Sequence, residues 1–458
     1  MGIMSNTTMK DFLKGFGIIV LAGVLLIGMM FFAPYIASLI KNGVPRRDLG
    51  GRHDASPPTA PKKTTAELVA EAHSRSQNIK ALYMTAEVAN DGGAGATRLR
   101  NHLIALADTT EINALVIDVK EVCGPEYDEK DLKKLLDTLH QKNIWAIARI
   151  VTFKDASQRE AHPAWYLTRK TPKAVLEGAC SRKQNLVVQS HEHPVATGPL
   201  WRDNKGGYWM DPASPGVRDY IVGFGKKISD LGFDELQFDY VRFPSDGDVS
   251  QALYPAWDGT IAKHDVLKNF FAYLQKNLKA YRPDLMLSAD LFGYVADQGE
   301  DKTIGQRLAD IAPSFDYVSF MVYPSHYYAG LILPPDPTRK LPAVNYNVNE
   351  ARTHPDVVVG RSLLAALNFF PGAMASSTAS STPAQSAPKP ANALLRPWLE
   401  DFFHEADRLA GRPSGAAKVR LQIDAAEKSG GHGWLLWNAS NIYSESALKK
   451  EYPHASIE

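Results

Sequence analysis

The stretch GFDELQFDYVRFPSDG, residues 232–247, decides the fold. Leu236, Phe238 and Tyr240 alternate with Glu235, Gln237 and Asp239, which is the period of a β-strand. A half-exposed strand would turn one set to water. Here both sets hold groups that gain from enclosure, and the run stops abruptly at Arg242, Pro244 and a Ser-Asp-Gly turn. In a closed barrel both faces of a strand are buried, one against the outer helices and one against the barrel interior. Leu236, Phe238 and Tyr240 are then expected under the helices. Glu235, Gln237 and Asp239 point inward, with Asp239 nearest the mouth and Glu235 near the floor.

Seven more apolar runs share this character, at 79–89, 113–120, 144–153, 285–295, 317–324, 394–402 and 433–440. Between them lie helical patterns such as EKDLKKLLDTLHQKN, GVRDYIVGFGKKISDLG, HDVLKNFFAYLQKNLKAY and AAKVRLQIDAAEKSGG. Eight strands alternating with helices are the count of a (β/α)8 TIM barrel, an α/β fold, placed at residues 75–455. An open doubly wound sheet would need a Gly-rich phosphate loop after an early strand, and there is none. Two stretches fall outside the pattern. Residues 154–215 form a long connection after the third strand, as binding loops do. Residues 371–392, rich in Ala, Ser and Pro, read as a low-complexity insertion.

The chain has 458 residues, a net charge of +1 and two cysteines. That balance gives no electrostatic footprint for nucleic acid. No Cys/His metal spacing and no cofactor motif is present, so no cofactor is expected. Cys123 and Cys180 follow the second and third strands, on one rim of a barrel, and export would allow them to bond. From Phe16 to Ile40 no residue is charged, which exceeds the roughly 20 residues that cross a bilayer. The run is too long for a signal-peptide core and no small-residue cleavage site follows. The N-terminus thus reads as a cytoplasmic segment at 1–15, a single transmembrane helix at 16–40 and a flexible linker at 41–70. Lys10 and Lys14 precede the span, and Lys41, Arg46, Arg47 and Arg52 follow it. Large C-terminal domains translocate despite such flanks, and the barrel is expected on the extracytoplasmic side.

Barrel chemistry sits at the C-terminal strand ends. Those ends carry Asp118 and Lys120, Asp239 and Arg242, Asp290, Tyr323 and His326, Trp398 with Glu400 and Asp401, and Trp437 with Asn438. Several carboxylates on one rim need cations or a ligand, because a lone buried charge is expensive. Lys120 and Arg242 are the expected partners of Asp239. Trp209 from the long connection joins Trp398, Trp437 and Tyr323 as flat apolar surfaces suited to the C–H faces of a sugar.

The segments FDELQFDYVRFPSDG, MVYPSHY, RPWLEDF and GWLLWNAS, with GGYWMDP upstream, resemble a glycoside hydrolase family of bacterial proteins in the TIM-barrel glycosidase superfamily. The resemblance covers about residues 78–450. It implies a barrel that cleaves glycosidic bonds of a poly- or oligosaccharide. By analogy with amylase-type barrels, it assigns Asp239 on the fourth strand as nucleophile and Asp290 on the fifth as acid/base, a two-carboxylate retaining scheme. Asp401 is the candidate third carboxylate. Asp118, Lys120, Trp209, Arg242, Tyr323, His326, Trp398, Trp437 and Asn438 are the candidate substrate contacts. The competing function is a non-catalytic glycan-binding barrel on a membrane tether. An esterase or deacetylase on this fold finds no Gly-x-Ser-x-Gly motif or histidine cluster.

Overall fold

The computed structural model describes residues 63–171, 180, 199–369 and 393–450. All eight expected strands form. They are β1 (Ile79–Met84), β2 (Ala114–Glu121), β3 (Trp145–Val151), β4 (Glu235–Asp239), β5 (Met286–Phe292), β6 (Tyr317–Met321), β7 (Trp398–Glu400) and β8 (Gly433–Trp437). Each pairs in parallel with its sequence neighbours, and β1 pairs with both β2 and β8, so the sheet closes. At the closing seam Gly433 has φ +88°, and a Cβ there would lie 1.9 Å from the Ile79 carbonyl oxygen. Only glycine fits that approach.

Helices pack outside the sheet because their apolar stripes have nowhere else to go. Helix α1 (Thr65–Ser76) precedes β1. Helices α2 (Ala94–Thr109), α3 (Glu129–Gln141), α4 (Pro215–Asp230) and α5 (Lys263–Tyr281) follow the first four strands. Helix α6 (Pro355–Leu367) follows β6 and α7 (Gly415–Lys428) follows β7. In α3 the leucines at 132, 135, 136 and 139 share one buried face, and the Asp128 side chain caps the first turn by accepting from the Lys130 and Asp131 N–H groups.

Strand alternation divides the core in two. Leu236 and Phe238 pack in the layer between sheet and helices, as expected. Ile79, Ala81, Ala114, Val116, Trp145, Ile147, Met286, Tyr317 and Leu435 fill the barrel interior. Glu235 lies at the floor of that interior, fully buried, where Arg396 Nη1 donates to both its oxygens at 2.8 and 3.0 Å and Trp145 Nε1 donates at 3.3 Å. Arg396 is equally buried, stacked on Tyr317 at 3.5 Å. Breaking such a pair strands one charge in the interior. Arg396→Met should therefore cost about 3–5 kcal/mol in urea denaturation, and adding Glu235→Met should return most of it, since a buried ion pair exchanged for apolar volume is nearly neutral.

The seventh strand differs from its expected form. The run 394–402 is split into Leu394–Leu395, paired with β6, and β7 proper. Pro397 lies between them and cannot donate to the ladder. Tyr240 also departs from expectation. The strand ends at Asp239, and Tyr240 takes φ +54°, a left-handed conformation that breaks the alternation and swings its ring from the helix layer to the barrel mouth.

Cys123 and Cys180 are disulfide-bonded, with Cα atoms 5.3 Å apart and a sequence separation of 57. The bond ties the long connection after β3 to the end of β2. Loop-closure entropy for that separation corresponds to about 4 kcal/mol. Cys123→Ser/Cys180→Ser should lower the unfolding free energy by that order in urea denaturation, and an unchanged value would show that the connection is held by its packing alone.

Among the described residues no helix is long and apolar enough to cross a membrane. The expected anchor at 16–40, most of the linker at 41–70 and the insertion at 371–392 lie outside the described residues.

Candidate active site

At the C-terminal end of the barrel a cavity of about 380 Å3 opens to solvent. Asp239 and Asp290 both line it, from β4 and β5. So do Arg149, Tyr323, His326, Trp398 and Trp437.

Arg149 is the organising cation. It stands in the middle of β3, on the same inward phase as Trp145 and Ile147. Its Nη2 and Nε reach Asp239 Oδ2 at 2.6 and 3.2 Å. Its Nη1 donates to Asp118 Oδ1 at 2.7 Å and to Glu121 Oε1 at 2.5 Å, and Nε lies 4.0 Å from Asp290 Oδ2. One guanidinium thus faces four carboxyl groups. They cannot all be ionised against a single positive charge at low local dielectric, so protons must be shared among them.

The surroundings say where the protons sit. Burial pushes the Asp290 carboxyl well above the usual carboxylate range, the Asp239 charge pushes further, and Arg149 only partly opposes them. Asp290 also accepts a hydrogen bond from Trp398 Nε1 at 2.8 Å. Burial likewise raises Asp118, to about 7, against the opposing pull of Arg149. Asp118 is hydrogen-bonded to the Tyr83 hydroxyl. Asp239 accepts two guanidinium contacts and, at 2.6 Å, the Tyr240 backbone N–H. That is the environment of an ionised carboxylate. The two aspartates lie 3.2 and 4.0 Å from the same Nε, so their facing oxygens are no more than about 7 Å apart.

The cavity walls combine this charge with flat rings. Tyr323 stacks near Trp437, with centroids 6.1 Å apart and planes 25° apart, and Phe402 packs edge-on to Trp437 at 4.9 Å. His326 packs against Tyr323 and Phe402, and burial lowers its proton affinity, so it is neutral near pH 7.

Residues 81–443 match the model of a family described as "Putative glycosyl hydrolase domain". The chain belongs to that family. No curated protein matches it at a significant level. Among solved structures, a hypothetical protein from Ruminiclostridium thermocellum ATCC 27405 is 28% identical, with 46% of this chain and 96% of that chain covered and a TM-score of 0.34. An alpha-galactosidase from Thermus thermophilus is 12% identical, with 81% of this chain and 60% of that chain covered and a TM-score of 0.42. The C-terminal domain of a putative chitinase from Desulfitobacterium hafniense DCB-2 is 11% identical, with 81% and 96% covered and a TM-score of 0.45.

Of the residues singled out in the sequence, this glycosyl hydrolase domain brings Asp239, Asp290, Arg242, Tyr323, His326, Trp398 and Trp437 together around one cavity. Trp209 lies just behind, with its ring 5.0 Å from the Arg242 guanidinium and its Nε1 donating to Asp203 at 2.9 Å. The others face elsewhere. Lys120 is fully buried, paired with Asp155 at 2.8 Å, and Asp118 is held by Arg149 and Tyr83 beneath the mouth. Asp401 accepts from the Ser444 N–H and hydroxyl at 2.6 and 2.8 Å. Its neighbour Glu400 takes Lys418 and Ser325. Asn438 donates to the Asp401 and Ile442 carbonyls and shapes the loop after β8. The cation beside Asp239 is thus Arg149, where Lys120 or Arg242 was expected. Arg149 did leave a signal, as the lone charge on the inward phase of an otherwise apolar strand. Lys205 and Gln306, also at the cavity, come from connections with no periodicity to read.

Proposed function

We propose that this protein is a membrane-anchored retaining glycoside hydrolase acting on a poly- or oligosaccharide. The observation that carries the reading is the pairing of unlike carboxyl groups in one cavity. Asp239 is surrounded by donors, and Asp290 is buried toward the protonated state. A carboxyl group ringed by donors beside one whose proton is held by burial is the arrangement of a nucleophile and an acid.

In the first step the Asp239 carboxylate attacks the anomeric carbon while Asp290 gives its proton to the departing glycosidic oxygen. In the second, Asp290, now ionised, takes a proton from water. That water attacks the same carbon and frees Asp239 as its carboxylate. A separation of roughly 5–5.5 Å between the carboxyls suits this route and 6.5–9.5 Å suits inversion; the limit of about 7 Å set by the shared Arg149 Nε leaves room for the shorter span. Rings at Trp398, Trp437 and Tyr323 would stack on the sugar.

An extracytoplasmic barrel is supported by the apolar run at 16–40 and by the Cys123–Cys180 bond, since such bonds persist in oxidising compartments. The test is reducing-end release by the full-length protein from bacterial and plant polysaccharides, with proton NMR of the product in the first minutes. Retention of the anomeric form is expected. Inversion would sink the covalent step, and release that survives Asp239→Asn would sink the assignment itself.

A further inference from the structure

The cavity holds two cations with no ion-pair partner among the described residues. Arg242 is 7% exposed, yet among the described residues no carboxylate lies within 4.0 Å of its guanidinium. Its Nη1 donates to the Phe243 carbonyl at 2.9 Å and the Ser245 hydroxyl at 3.1 Å, while Nε and Nη2 have no partner among the described residues. Three rings hold the group in place, Phe292 at 4.5 Å, Trp209 at 5.0 Å and Tyr240 at 5.5 Å from its central carbon. Lys205 is the second cation. It lines the same cavity from the long connection after β3, has no ion pair among the described residues, and acts on His326 through its charge.

Most other buried cations have an acid, with Arg361 the exception, since it donates to the Pro342 and Pro334 carbonyls. Lys120 has Asp155, Lys154 has Asp203 at 2.7 Å, Arg396 has Glu235, and Arg149 has its carboxyl groups. Enclosing a cation without an anion is costly. A ring of aromatics lowers that cost and fixes the guanidinium plane without cancelling the charge. What remains is half of a planar donor fork aimed from beside Asp239 and Phe292 into the cavity. A carboxylate fits that fork with two parallel hydrogen bonds.

We propose that the cavity selects an acidic glycan, one with a uronic acid beside the scissile bond, whose carboxylate docks on Arg242 with Lys205 reinforcing it at the mouth. The proposal rests on the glycoside hydrolase reading, and its test separates the two. Full-length protein is given acidic polysaccharides and the same polymers after chemical reduction of their carboxyl groups, which keeps each linkage and removes the charge. Sulfated neutral polysaccharides form a third arm. The acidic polymer should be cleaved about 10- to 100-fold faster at limiting concentration than its reduced form, the range expected for a charge-assisted hydrogen-bonded pair.

Arg242→Gln should erase that preference through KM. Lys205→Gln, at an exposed position where folding is not at risk, should reduce the preference several-fold. Equal or faster cleavage of reduced polymers overturns the proposal, and preference for sulfated glycans overturns the carboxylate. Titration of oligouronates into the Asp239→Asn variant is read independently of turnover. If no substrate is cleaved, the hydrolase reading fails, and this titration still decides. Binding that weakens with Arg242→Gln sustains the acidic ligand, and no binding of any oligouronate overturns it.

Discussion

Asp239→Asn and Asp290→Asn should each reduce kcat by about 10^2- to 10^4-fold on a natural glycan, with KM little changed, because each removes an interaction that matters only at the transition state. The two variants part on the leaving group. An aryl glycoside with an acidic phenol departs without a proton, so Asp290→Asn should regain most of its kcat/KM on that substrate, seen as a burst of phenol, while kcat stays held down by the second step, which uses Asp290 as base. Asp239→Asn should regain neither, since the attack on carbon is missing whatever leaves. The pH profile follows the same logic. In the proposed scheme Asp290 works as an acid, and burial holds its proton to unusually high pH. Activity should fall on the alkaline side as Asp290 loses its proton, and that limb should disappear from the aryl-glycoside profile. Equal losses for both variants on both substrates would show that the roles are not divided as stated.

Arg149→Met should be strongly destabilising. The guanidinium touches Asp118, Glu121 and Asp239 and lies near Asp290, and its removal leaves an enclosed cluster of acids with no cation. Losing one partner of a buried pair costs about 3–5 kcal/mol. The sign with pH is definite. Asp118 and Asp290 already stand above the usual carboxylate range through burial, and without Arg149 they rise further, so the native state of the variant binds more protons than its unfolded chain. Stability then falls as pH rises through the interval between unfolded and native values. Urea midpoints should show the variant closest to wild type at about pH 4–5 and furthest from it at pH 8. A deficit independent of pH would mean that the loss is one of packing and not of charge.

Arg149 also marks the boundary between what was legible in the chain and what was not. The eight strands could be read because backbone geometry alternates side chains, and apolar runs separated by amphipathic helices leave few architectures. The same period sent Asp239 and Asp290 inward at strand ends, and the floor position of Glu235 follows from its place at the start of β4. These are local consequences of sequence. Which charges meet is not local. Arg149 on β3 joins acids from β2, β4 and β5 only because the sheet closes and its register sets Arg149 beside Gln237, one pleat from Asp239. Lys120 turns to Asp155 beyond β3, and Asp401 turns to Ser444 beyond β8. Tyr240 reaches the cavity through one left-handed residue that strand periodicity gives no means of foreseeing. Sequence alone therefore determined the barrel and the two aspartates on its rim, because periodicity acts residue by residue. Tertiary structure decided their partners, and with them the protonation of the site, because charges couple through space across strands that are distant in the chain.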